Sequence, residues 1–156
     1  MPVSIGQPAP DFSLFDSEKK KVTLSELKDV NILLLFFPLA FTKTCTAELC
    51  EVRDTISWYN KAEATVFGIS VDSLYTLSKY KEEQQLNFTL LSDFNKEVSR
   101  LYDSIYELFG YNMKGVSKRA AFIIDKTSII RYAEVLEDAG KIPDFEAIKL
   151  VLGGLN

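Results

Sequence analysis

Hydrophobic and polar positions alternate in two short segments near the start of the chain. Residues 11–15 and 20–24 each alternate, and a polar turn lies between them. Alternation with a period of two is typical of strands that bury one face. The pattern therefore predicts a small N-terminal hairpin, followed by a turn of helix at residues 25–28.

The next stretch changes from a strand pattern to a helix pattern. Residues 32–37 are all apolar, which is typical of a strand covered on both faces. After them, apolar residues recur at a spacing that places them on one face of a helix. These residues are Cys45, Leu49, Val52, Ile56 and Tyr59. The spacing predicts one continuous amphipathic helix.

The rest of the chain repeats this order of strand and helix. Residues 64–71 form another apolar run, and Asp72 and Ser73 are placed to cap a helix that ends near Gln85. Further predicted elements are a strand at 89–91, a helix at 95–102, two strands at 119–124 and 129–135, and a last helix opened by residues 142–144.

The order of these elements predicts the fold class. Strands that alternate with helices favour an α/β architecture, with a central β-sheet flanked by helices. The last two strands are joined by a short turn, so the sheet is expected to be mixed rather than purely parallel. The order β-α-β-α followed by β-β-α, with an N-terminal β-hairpin extension, is that of a thioredoxin-like fold.

Composition limits the size and the partners of the protein. The chain has 156 residues, and we expect residues 1–156 to form a single domain. It contains 18 Lys and Arg residues and 22 Asp and Glu residues, which gives a formal net charge of −4. A mildly acidic chain without a basic run is a poor candidate for binding nucleic acid or an anionic membrane.

The chain shows no pattern of a membrane span or a signal peptide. Its longest apolar run, residues 30–41, is interrupted by Asn31 and Pro38 and is far shorter than the ~20 residues that a span needs. The N-terminus lacks a charged region followed by an apolar one. These patterns predict a cytoplasmic protein. Cysteines in that reducing compartment are more often reactive than structural.

The chain contains two cysteines and no histidine. Without an imidazole it has no Cys-His pair, no Ser-His-Asp triad and no His-rich metal site. Two cysteines alone are a poor basis for a zinc site, so we expect no metal. A nucleophilic cysteine would therefore have to be ionised by backbone geometry and a nearby cation.

Cys45 has the position that such ionisation requires. It follows a buried strand and lies in the first turn of the amphipathic helix, where unpaired N–H groups and the helix dipole favour an anion. Cysteines at such positions have pKa values of about 3.5–7.5 instead of about 8.5. Thr42 and Thr44 add hydroxyl donors, and Pro38 fixes the backbone where the strand ends. The alternative is that Cys45 is a small apolar residue of the core face.

Cys50 follows Cys45 by five residues. In an intact helix this spacing gives an axial rise of about 7.5 Å and a rotation of about 140°. A disulfide needs Cα atoms within ~7 Å, so a bond between the two cysteines requires the start of the helix to unwind. This excludes a static structural bridge and permits a transient catalytic one. The alternative is that Cys50 is an inert helix residue.

Arg119 and Glu48 are the charged residues that best suit such a site. Arg119 immediately precedes a buried strand, so its guanidinium is expected at the sheet edge, where it could hold a thiolate and an oxygen substrate together. The alternative is a solvated charge at a strand end. Glu48 lies one turn after Cys45, where it either orients an arginine or complements the helix dipole.

These residues resemble the active site of the peroxiredoxin family. The family signature P-x-x-x-T-x-x-C is matched by Pro38, Thr42 and Cys45, and the remote arginine of the family falls on Arg119. Residues 36–42 resemble the AhpE-like subgroup. The spacing of the two cysteines is similar to that of the PrxQ (bacterioferritin comigratory protein) subgroup, so the chain combines features of both.

The resemblance implies a thiol-dependent peroxidase that serves antioxidant defence. Cys45 would be the peroxidatic residue that attacks a hydroperoxide and becomes a sulfenic acid. Thr42 and Arg119 would bind the peroxide oxygens, with Glu48 beside them, and Pro38 would shield the thiolate. Cys50 would then resolve the sulfenic acid as a disulfide, in the atypical 2-Cys manner. A thioredoxin-like dithiol would reduce that disulfide. No metal, haem or flavin is implied.

Other functions remain compatible with the residues themselves. A thioredoxin-like protein-disulfide oxidoreductase is disfavoured because the chain has no CxxC motif. A redox-sensing or chaperone-like scaffold and a purely structural or partner-binding domain stay open. Core packing is the commoner role for an aromatic segment such as residues 102–111. The family resemblance also suggests a homodimer contact there and at Phe41.

Overall fold

The structure is a computed structural model that describes residues 3–155. The strands are β1 Ser13–Asp16, β2 Lys21–Thr23, β3 Asn31–Phe36, β4 Ala64–Ser70, β5 Thr89–Ser92, β6 Ile105–Tyr106, β7 Val116–Ser117, β8 Arg119–Ile124 and β9 Ile130–Leu136. The α-helices are α1 Lys43–Asp54, α2 Ile56–Lys61, α3 Leu74–Gln84, α4 Glu97–Leu101 and α5 Phe145–Gly154. Two short 3-10 helices span Leu24–Glu26 and Gly110–Asn112.

Seven strands form one mixed sheet in the order β2-β1-β5-β4-β3-β8-β9. Strands β3, β4 and β5 run parallel to one another, and the other pairs are antiparallel. The predicted mixed α/β sheet of a thioredoxin-like fold is confirmed. The N-terminal hairpin β1–β2 also forms as predicted, and it joins the central sheet because β1 pairs with β5.

The sheet separates two hydrophobic cores. Alternate residues of β3 enter opposite cores: Leu33 and Leu35 pack on one face, and Leu34 and Phe36 pack on the other. Helices α1, α2, α3 and α5 cover the first face, whereas α4 and the N-terminal segment cover the second. Every residue of β3 and β8 is buried, which is what their unbroken apolar runs predict. Within residues 3–155, none of the helices is long and apolar enough to cross a bilayer.

The prediction of one continuous helix after Cys45 is wrong at one residue. Thr55 leaves the helical conformation, with φ −120° and ψ 20°, and separates α1 from α2. Its hydroxyl donates to the carbonyl oxygen of Glu51 at 2.9 Å, a contact that competes with helical hydrogen bonding and bends helices. The core-facing stripe nevertheless continues across the break to the buried Tyr59.

Two further details differ from the sequence prediction. Ser73 caps α3 by accepting a hydrogen bond from the Thr76 N–H, but Asp72 does not take part in the cap. Its carboxylate instead accepts from the Ala40 N–H at 2.8 Å and from the Ser70 hydroxyl at 2.7 Å. The small hairpin β6–β7 was not predicted, because two-residue strands leave no periodic pattern.

Replacing Asp125 by Asn should destabilise the turn between β8 and β9. Burial favours a higher pKa for Asp125, but hydrogen bonds from Thr127, Arg131 and the Ile129 N–H outweigh it and lower the pKa to about 2. Because the folded pKa is depressed, this stabilisation is present above the unfolded pKa and is lost as pH falls through the folded one. We expect a loss of about 1–3 kcal/mol at neutral pH in urea unfolding. A difference that does not shrink in acid would contradict this assignment.

Candidate active site

The ends of three strands meet at one edge of the sheet. In the antiparallel register of β3 and β8, Phe36 lies opposite Ala120, so the chain that leaves β3 starts beside Arg119. Arg119 is itself opposite Leu136, the last residue of β9. The loop after β9 therefore returns to the same edge. This register brings together groups that are far apart in sequence.

The loop between β3 and α1 is held in a fixed shape. Pro38 is buried, and the Ala40 N–H donates to the Asp72 carboxylate. Phe41 adopts a left-handed conformation with φ 68°, which is unfavourable for a large L-residue. Its ring packs against that of Tyr80, with centroids 4.9 Å apart. These contacts determine where α1 begins.

Cys45 lies in the first turn of α1 and is fully buried. The Nη2 of Arg119 donates a hydrogen bond to its Sγ at 3.2 Å. The unpaired N–H groups of the helix start and the fixed positive charge of the guanidinium both direct positive potential toward this sulfur. Cys45 does lie on the core face of the helix, as the alternative interpretation had it, but it also contacts a cation.

Arg119 is only 1% exposed and is not a solvated charge at a strand end. Its Nη1 donates to Glu48 Oε1 at 2.7 Å. Its Nε and Nη2 both donate to the carbonyl oxygen of Ala139, at 3.1 and 2.9 Å. Sequence reasoning missed Ala139, because a backbone carbonyl carries no signature in the residue type.

Glu48 lies behind Arg119, fully buried, and is not among the residues that line the pocket described below. Burial raises its pKa to about 7, although the charge of Arg119 and its hydrogen bond act in the opposite direction. Among residues 3–155, Oε2 of Glu48 has no hydrogen-bond partner. Burial therefore favours the neutral form of this carboxyl, and Arg119 opposes that effect.

A pocket of about 230 Å³ leads from the surface to Cys45. It is lined by Pro38, Thr42, Lys43, Thr44, Cys45, Phe109, Arg119, Ala139 and Gly140. The Thr42 hydroxyl donates to the carbonyl oxygen of Leu39 at 2.8 Å, so its proton is already engaged and its oxygen remains an acceptor rather than the predicted donor. The volume suits a small molecule rather than a protein segment.

Cys50 is not brought to Cys45. Both cysteines are free thiols, and α1 is an unbroken helix between them. The Sγ of Cys50 points instead to α3, where it contacts Gln84 Oε1 at 3.8 Å. Because α1 is helical between the two cysteines, a disulfide requires the start of this helix to unwind.

The aromatic segment at residues 102–111 divides into parts with different environments. Tyr102 belongs to the core. Phe109 stacks on Tyr106, with centroids 5.5 Å apart, and its side chain lines the pocket. Tyr111 is almost completely exposed. The sequence did not single out Phe109 as a pocket residue, since only the tertiary fold carries the β6–β7 hairpin to the sheet edge.

The sheet is thioredoxin-like, and a buried thiol at a helix start accepts a hydrogen bond from an arginine. This combination defines a thiol-based redox protein. The described part of the chain contains no cluster of three His, Cys, Asp or Glu side chains that could hold a metal.

Comparison with known proteins specifies the family. Residues 5–133 match the AhpC/TSA family. Alkyl hydroperoxide reductase E of Mycobacterium tuberculosis is 34% identical over 145 residues, which cover 91% of each chain. The crystal structure of peroxidoxin BcpB from Mycobacterium tuberculosis superposes with a TM-score of 0.86 at 26% identity, covering 99% of both chains. A cysteine-to-serine mutant of PrxQ from Xylella fastidiosa gives a TM-score of 0.87 at 25% identity, covering 99% of this chain and 98% of that one.

The chain therefore belongs to the AhpC/TSA family and is a peroxiredoxin, a thiol-dependent peroxidase. The family resemblance drawn from the sequence is confirmed.

Replacing Glu48 by Gln should remove a pH dependence of stability. The folded pKa of Glu48 is raised from 4.5 to about 7, so its neutral form is favoured in the folded state. Stability is then fully present below the unfolded pKa and is lost as pH rises through the folded one. Relative to Glu48→Gln, the wild type should lose about 1–3 kcal/mol of unfolding free energy from about pH 5 to about pH 8. Parallel pH profiles in urea unfolding would contradict the assignment.

Proposed function

We propose that this peroxidase reduces hydrogen peroxide and organic hydroperoxides at Cys45. The observation that carries the proposal is the hydrogen bond from the buried Arg119 to the Cys45 Sγ, inside a pocket open to the surface. The thiolate attacks one oxygen of the peroxide, the O–O bond breaks, and the sulfur is oxidised to a sulfenic acid. The other oxygen leaves with a proton as water or an alcohol.

Arg119 and Thr42 are proposed to bind the two peroxide oxygens. Negative charge moves from the sulfur to the leaving oxygen, and a fixed guanidinium beside both atoms stabilises it without reorganisation. The Thr42 oxygen, whose proton is engaged with Leu39, accepts a hydrogen bond from the peroxide O–H. Pro38 forms the pocket wall that keeps water from the sulfur. Glu48 acts through Arg119 by orienting the guanidinium.

Cys50 is proposed to resolve the oxidised enzyme. After the start of α1 unwinds, the Cys50 thiol condenses with the sulfenic acid of Cys45, forming an S–S bond and releasing water. A thioredoxin-like dithiol then returns both cysteines to thiols. The spacing of the two residues and their free state support this atypical 2-Cys route. The reaction balances with a peroxide and a dithiol alone, so the proposal includes no cofactor.

The setting of the reaction is also proposed. The chain acts as one domain, because both cores share the same sheet. We also propose a cytoplasmic location, on the sequence patterns described above. Two copies are proposed to pair through Phe41 and residues 102–111, where Phe41 and Tyr111 expose aromatic surface. Analytical ultracentrifugation that finds only monomer at high concentration would remove the pairing from the proposal.

Replacing Cys45 by Ser should abolish peroxide consumption, because the attacking sulfur is removed. Arg119→Met should retain the nucleophile and lose about a hundredfold or more in the second-order rate constant for peroxide. Stopped-flow measurement with hydrogen peroxide and an organic hydroperoxide tests both variants. Arg100→Met, at an exposed ion pair with Glu107, is the matched control and should behave as wild type. Activity retained in Cys45→Ser would overturn the assignment.

Replacing Cys50 by Ser should permit a single turnover and prevent the disulfide. Mass spectrometry after one equivalent of peroxide should find that the wild type loses two hydrogens, whereas the variant keeps one added oxygen at Cys45. An insulin-reduction assay on the wild type should be negative. A persistent sulfenic acid in the wild type would show that Cys50 does not resolve, while leaving the peroxidase chemistry intact.

A further inference from the structure

Polar contacts connect one face of α1 to one face of α3. Thr46 and Tyr80 share a hydrogen bond between their hydroxyls at 2.9 Å. One turn further on, Cys50 Sγ contacts Gln84 Oε1 at 3.8 Å. Arg53 Nη1 then donates to the carbonyl oxygen of Gln84 at 2.6 Å. We call this set of five residues the α1–α3 seam.

The seam coincides with the part of α1 that a disulfide must disrupt. Residues 46, 50 and 53 are spaced at i, i+4 and i+7, so they lie on one face of the helix. Thr46 directly follows Cys45, and Cys50 is itself a member of the seam. While the seam is closed, α1 remains helical between the two cysteines and their sulfurs cannot bond.

Tyr80 is the member that fixes the start of α1. It is fully buried, and its ring packs against Phe41, with centroids 4.9 Å apart, and against Phe37, with centroids 6.3 Å apart. Its hydroxyl reaches Thr46 in the first turn of the helix. One side chain therefore contacts both the loop that precedes α1 and the turn that carries Cys45.

We infer that Tyr80 is a positioning residue for recycling: by holding Thr46, it sets how fast the oxidised Cys45 meets Cys50. This inference rests on the proposed resolving role of Cys50. Opening of the seam is the slow step, because the hydrogen bonds of the first turns must break before the sulfurs approach. Tyr80 does not line the peroxide pocket, so its hydroxyl makes no contact with the peroxide.

The seam thereby controls the fate of the sulfenic acid. In one reaction, the Cys50 thiol displaces water from the sulfenic acid and forms the disulfide. In the competing reaction, the sulfenic acid reduces a second hydroperoxide and becomes a sulfinic acid, releasing water or an alcohol. Only the first reaction requires the seam to open. A tighter seam favours over-oxidation, and a looser one favours the disulfide.

Tyr80→Phe is the direct test, since it removes the hydroxyl and keeps the ring. Tyr102→Phe is the matched control: Tyr102 is equally buried and also has one hydroxyl hydrogen bond, to the Pro10 carbonyl oxygen at 2.7 Å, but it lies in the core on the other face of the sheet. We expect Tyr80→Phe to form the disulfide about three- to tenfold faster, as the loss of one hydrogen bond predicts, and to accumulate less sulfinic acid. Tyr102→Phe should match wild type in both, and neither variant should change the rate of sulfenic acid formation.

Hydrogen exchange of the reduced proteins separates this inference from the function on which it rests. Amides of α1 should exchange faster in Tyr80→Phe than in Tyr102→Phe, whatever Cys50 does chemically. Thr46→Val should have the same effect, and adding it to Tyr80→Phe should give no further increase, because both remove one bond. Equal disulfide rates or equal exchange in Tyr80→Phe and Tyr102→Phe would overturn the role of Tyr80. Absence of any disulfide in the wild type would overturn the resolving role instead.

Discussion

The buried positive charge of Arg119 is the constraint on which the rest of the site depends. A guanidinium withdrawn from water is stable only if its N–H groups and its charge find partners. Glu48, the Ala139 carbonyl and the Cys45 sulfur provide them. The arginine therefore fixes the positions of α1, β8 and the loop after β9 relative to one another. The same partners hold the guanidinium where a peroxide would need it.

Glu48 shows that this arrangement is a compromise. Its Oε1 accepts a hydrogen bond from Arg119, whereas its Oε2 has no hydrogen-bond partner among the described residues. A fully paired carboxylate would neutralise Arg119 and weaken its attraction for the thiolate. Burial acts to raise the pKa of Glu48, whereas the charge of Arg119 and its hydrogen bond act to lower it, so the pair is held between opposing effects.

Helix α1 has two requirements that oppose each other. In the proposed mechanism, an intact first turn stabilises the Cys45 thiolate, whereas the disulfide with Cys50 needs that turn to unwind. The first turn is held by its contact with α3, and it directly follows the strained loop at Phe41. In our proposal, the stability of a few hydrogen bonds, rather than the geometry of either sulfur, sets the balance between recycling and over-oxidation.

The sequence by itself determined the α/β fold, the two-faced burial of β3 and β8, and the candidate residues around Cys45, because these depend on local periodicity and residue type. It did not determine the break at Thr55, the β6–β7 hairpin, or the partners of Asp72. The sequence also named Arg119 as the cation for Cys45, but only the tertiary structure decided how it is held there, by Ala139 and Glu48, and that Tyr80 holds Thr46. These contacts depend on strand register and on how helices pack across a sheet. Such long-range pairings leave no trace in the spacing of residues along the chain.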